Sequence, residues 1–66
     1  MNLKLLNETI EGKQIPLSDI SEKMGVSRES LNLKLAGKRR FKASEADHIS
    51  DILKLTTCER NQIFFD

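Results

Sequence analysis

Apolar residues recur along this chain at helical spacing in five stretches, with polar residues between them. Leu3, Leu6 and Ile10 stand at i, i+3 and i+7, which predicts a helix over residues 2–11, with Leu5 flanking its buried stripe. Asn2 is suited to cap its start and Gly12 to end it. Pro16 biases Ile15 towards an extended backbone and opens a second helix, 17–24, with Leu17, Ile20 and Met24 on one face. Ser21 gives that helix a small side chain where a neighbour can come close, and Asp19 suits the positive end of its dipole. Gly25 ends it, Val26 plugs the turn, and Ser27 caps a third helix, 28–36. There Leu31 and Leu35 point inward, while Glu29, Asn32, Leu33 and Ala36 point outward. Gly37 closes this helix, and Phe41 anchors the loop that follows. Ser44 with Asp47 predicts the start of a fourth helix, 44–54, whose inner stripe is Ala46, Ile49 and Leu53, widened by Ile52. Thr56 and Glu59 form a capping box for a last helix, 57–63, which ends in Ile63, Phe64 and Phe65.

The expectation is an all-α chain, one domain over residues 1–66. At 38% apolar residues it can fill a small core and is not expected to be disordered. The lone Cys58 excludes an internal disulfide and a cysteine zinc site, which points to a reducing compartment. No secretory leader and no apolar run near the ~20 residues of a membrane span is visible, so the expected location is the cytoplasm.

Charge changes the picture through its distribution. Residues 26–42 carry Arg28, Lys34, Lys38, Arg39, Arg40 and Lys42 against only Glu29, whereas the segments on both sides are net acidic. A cationic patch of this kind suits a polyanion, nucleic acid first, although a solvated basic loop has the same composition. A short helix, a glycine turn and a second helix with a polar outer face also make a helix-turn-helix, whose second helix enters the DNA major groove. An ordinary helical hairpin of a small bundle would share the pattern.

Ile20, Gly25-Val26-Ser27-Arg28, Leu31, Leu35-Ala36-Gly37-Lys38-Arg39, Phe41, Glu45-Ala46, Ile49, Leu53 and Ile63-Phe64-Phe65 occur in an ordered spacing over nearly the whole chain. In this the sequence resembles the helix-turn-helix domains of phage repressors and Cro proteins and their bacterial relatives. The resemblance implies a lambda repressor-like five-helix bundle that binds operator DNA, often as a homodimer, with the fourth helix starting a residue or two before Ser44. Two positions depart from that pattern. Leu17 replaces a common Gln that contacts a phosphate, which leaves the contact to Ser18, Gln14 or Lys13, and Ser21 replaces a common Ala.

By the resemblance, the base-reading positions are Arg28, Glu29, Asn32 and Leu33. The chemistry of these residues agrees. Arg28 can bond to guanine O6 and N7, and Asn32 can read adenine or hold a phosphate. Glu29 can accept from cytosine N4 or serve only the helix start. Leu33 can meet a thymine methyl or a partner protein. Ser27 and Ser30 can donate to phosphates. Lys38, Arg39, Arg40 and Lys42 fit phosphate contacts, which position a protein without reading sequence, with at least one of the four merely solvated.

Other constellations carry less. His48 has Glu45 and Asp51 a turn away, but nothing supplies further metal ligands, and no catalytic set or small-molecule pocket is expected. Phe64 and Phe65 are adjacent, so one is expected to face outward. With Ile63 they are the candidate dimer contact. The expected function is a Cro-like, stand-alone DNA-binding repressor, since a chain of this length leaves no room for an effector domain. Two alternatives stand beside it. One is an antitoxin-type regulator that also binds a protein through the first helix or the Phe pair. The other is a protein-interaction module without DNA binding, favoured by Leu17, Glu29 and Leu33.

Overall fold

The apolar stripes of five helices meet in one core. The computed structural model describes residues 1–65, in the order α1 (Leu3–Lys13), α2 (Leu17–Met24), α3 (Arg28–Leu35), α4 (Ala43–Leu53) and α5 (Thr57–Phe64), with no strand among the described residues. Leu6, Ile10, Ile20, Leu31, Leu35, Ile49, Leu53 and Ile63 are buried together. Each such side chain contributes about 1.5–3 kcal/mol through loss of contact with water. Leu3, Leu17, Met24, Val26 and Phe41 are half-buried against this cluster. Helix α2 packs on α3 and α4, and α1 packs on α3 and α5, in a body 28 × 22 × 19 Å across. No helix of the described residues is long and apolar enough to cross a membrane.

Local chemistry explains most of the boundaries. The Asn2 side chain accepts from the Leu5 N–H at 3.0 Å, and the Asn2 N–H donates to the Ile63 carbonyl at 2.6 Å, which ties the N-terminus to α5. Ser27 Oγ accepts from the Ser30 N–H at 3.0 Å. Thr56 and Glu59 cap each other at α5, at 3.0 and 3.1 Å. Helix α2 ends at Gly25 (φ 71°), where the Val26 N–H donates to the Ser21 carbonyl at 3.1 Å. The buried Ser21 and Ser50 spend their hydroxyls on their own helices, donating to the Ser18 and Ala46 carbonyls.

Two boundaries differ from expectation. Helix α1 runs through Gly12 and stops at Gln14, which takes the left-handed conformation at φ 56°. A glycine inside a helix costs only about 1 kcal/mol. The hard constraint is Pro16, which holds Ile15 out of the helical region, so the reversal falls on the residue before it. Helix α4 starts at Ala43 rather than at a Ser44 cap. The Glu45 carboxylate accepts from the Lys42 N–H at 2.8 Å and fixes Lys42 as the flanking residue. Asp47, the expected partner of Ser44, is paired with Arg60 and joins α4 to α5.

Candidate nucleic-acid interface

With Leu31 and Leu35 in the core, the opposite face of α3 is turned to solvent. Arg28, Glu29, Asn32 and Ala36 are exposed there. Leu33 is half-buried without joining the side chains packed on the core. The Ser27 cap satisfies one N–H of the first turn, beside Arg28 and Glu29.

The end of α3 hands the chain directly to the cationic loop. The Gly37 N–H donates to the Lys34 carbonyl at 3.1 Å, and the Lys38 N–H donates to the Leu33 carbonyl at 2.9 Å. This double closure needs a left-handed residue, and Gly37 supplies it at φ 80°. A Cβ there would also lie 3.2 Å from Leu3 Cδ1. Lys38, Arg39, Arg40 and Lys42 are all exposed. Arg39 bends back, and its guanidinium donates to Ser30 Oγ at 3.3 Å. The loop and the outer face of α3 therefore form one continuous surface. Counting from Arg28 to Lys42, five cations face solvent beside Glu29, because the sixth, Lys34, is buried.

Lys34 and Glu45 are the pair that sequence reasoning missed. Lys34 is only 9% exposed and forms an ion pair with Glu45 of α4. The hydrogen bond from Lys34, and then the one from the Lys42 N–H, hold the Glu45 carboxyl below the usual glutamate range, against the opposing effect of burial. One signal was present: Lys34 follows Leu31 by three residues and so shares its inward face. Asn7 was also missed. Its amide donates to the Leu35 carbonyl at 3.2 Å and ties α1 to the end of α3.

The remaining expected contacts fall elsewhere. Ser18 stands exposed at the head of α2, where Pro16 provides no side-chain cap for the first N–H groups. Gln14 lines an open groove of about 710 Å³ with Lys4, Glu8, Glu11 and Leu17. Lys13 lies with Gln14, Ile15, Pro16 and Asp19 at the entry to α2, and it is near enough to Glu59 to help lower that carboxyl. Ile63 is 1% exposed and belongs to the core, so it is unavailable as a dimer contact. Phe65, at 72%, is the outward member of the Phe pair. It shares a cleft with Met1, Phe41 and the half-buried Phe64, bordered by Lys42, Asp47 and Arg60. His48 is exposed, and its neighbour Glu45 is turned to Lys34.

No protein-family model, curated protein or solved structure matches this chain.

Proposed function

We propose that this chain is a sequence-specific, double-stranded-DNA-binding transcriptional regulator of the Cro-like kind, a helix-turn-helix protein of lambda repressor-like fold. Helix α3 lies in the major groove. Arg28, Glu29, Asn32 and Leu33 meet base edges, and Ser27, Ser30, Lys38, Arg39, Arg40 and Lys42 grip the strands. The observation that carries this reading is the continuous surface made by α3 and the cationic loop, joined by Arg39 and Ser30. A groove ~12 Å wide admits a helix with its side chains, and a body 28 Å in its longest dimension suits one half-site. Ser18, Gln14 or Lys13 at the entry to α2 supplies a flanking phosphate contact in place of the side chain that Leu17 lacks.

One module makes few base contacts, so the working form is a homodimer on half-sites ~34 Å apart. The exposed Phe65 and Met1 favour an apolar contact between copies. The same two residues favour the alternative of an antitoxin-type regulator that holds a second protein. Repression follows from occupying a promoter in the host or bacterial cytoplasm. Selection of bound sites from random duplexes with purified protein tests the proposal. It predicts enrichment of a two-fold symmetric consensus, and recovery of no preferred sequence contradicts it.

A further inference from the structure

We infer that Lys34 and Glu45 are positioning residues for the cationic loop, setting DNA affinity and its salt dependence without touching DNA. This inference rests on the DNA-binding reading above. One carboxylate serves both ends of the connection. Glu45 Oε2 pairs with Lys34 Nζ at the end of α3, and Glu45 Oε1 accepts from the Lys42 N–H just before α4. Both side chains are largely withdrawn from water, at 11% and 15% exposed. Lys38 is fixed at the other end by its bond to the Leu33 carbonyl. Residues 38–42, which carry all four loop cations, are thus pinned at both ends.

A buried ion pair is a poor source of stability, because desolvation offsets most of its attraction. An apolar residue at position 34 would continue the Leu31–Leu35 stripe at less cost. What an apolar residue cannot do is hold the Glu45 carboxylate in place to cap Lys42. Position, rather than stability, is what the pair provides. It also neutralises one cation inside the patch, so the charge presented to a polyanion lies on the loop and at Arg28.

The test uses two charge-neutral double variants of the whole chain, so that long-range attraction is unchanged. Lys34→Met/Glu45→Met removes both the pair and the cap. Lys34→Glu/Glu45→Lys keeps an ion pair but puts at position 45 a side chain that cannot accept the Lys42 N–H. Binding to one random duplex is measured across a salt series, alongside thermal unfolding and ¹⁵N relaxation of Arg39, Arg40 and Phe41. Both variants are expected to show faster loop motion, affinity lower by roughly tenfold, and a log–log salt slope shallower by about 1–2. The loss should not follow the melting temperature. Wild-type affinity and slope in the Met/Met variant would overturn the inference, as would full rescue by the charge swap. If the wild-type chain binds no duplex at any salt, the DNA-binding reading fails and the affinity part of the inference falls with it. Loop relaxation in the free protein then decides the remainder: faster motion in both variants upholds the latch, and unchanged motion overturns it.

Discussion

The two exposed regions of this molecule work by opposite physics. The α3 surface and its loop present long cationic and polar side chains on a backbone fixed by hydrogen bonds, with Ser27 capping one end and Gly37 and Glu45 closing the other. Next to the loop, Met1, Phe41, Phe64 and Phe65 line an apolar cleft at the terminus of α5, bordered by Lys42. Contacts made by the first act over the Debye length and weaken as salt rises. Contacts made by the second act only at van der Waals range and are nearly indifferent to salt. The two surfaces adjoin, since Met1 and Phe41 line one cleft with Arg39 and Arg40 and another with Lys42, so salt dependence rather than distance tells their contacts apart.

The sharpest break between core and apolar end lies two residues apart. Ile63→Ala should destabilise the fold by about 2–5 kcal/mol, because it empties a fully enclosed site. Phe65→Ala should leave the urea midpoint of dilute monomer within experimental error while lowering self-association, read by sedimentation. A large stability loss at Phe65 would erase the distinction. On the other surface, Arg28→Ala should relax preference at one base pair by about 1–3 kcal/mol while sparing the rest of the site. An equal loss on every duplex would refute base reading there. Arg39→Ala should weaken binding to all sequences and reduce the salt slope by about 1.

The smallest effect concerns pH. Glu45 lies under the loop and is lowered by Lys34 and then by the Lys42 N–H; Glu59 opens α5 and is lowered by the Thr56 N–H. A folded-state value below the unfolded one stabilises the fold above the ordinary glutamate range and is lost as pH falls through the folded value. Stability should therefore decline as pH drops below about 4.3, and Glu45→Gln should flatten that decline. Chemical denaturation at neutral and acid pH measures it.

The helices were legible because Leu6 and Ile10, Leu31 and Leu35, and Ile49 and Leu53 keep helical spacing, and because Asn2, Ser27 and Thr56 are residue types that cap. The exposed α3 face and the cationic loop followed from the same periodicity. The end of α1 was not legible, because Gly12 is an acceptable helix residue and the constraint came from Pro16, four residues on. The start of α4 was not legible from the Ser44 and Asp47 pattern, which competes with a Glu45 already held by Lys34 from another helix; the resemblance placed it a residue or two earlier, as observed. The burial of Lys34 is a tertiary fact. Lysine is almost never enclosed unless paired, and its partner lies eleven residues away. Ile63 looked like a surface residue beside Phe65, but α5 turns it onto the core.

Amide shifts on titrating the ¹⁵N-labelled chain with a duplex of about ten base pairs, one half-site long, at low ionic strength are the most direct test. The account predicts that the amides of residues 28–33 and 38–42 move together and that those of Phe64 and Phe65 stay still. Movement confined to Phe64 and Phe65, or no movement along α3, would contradict it.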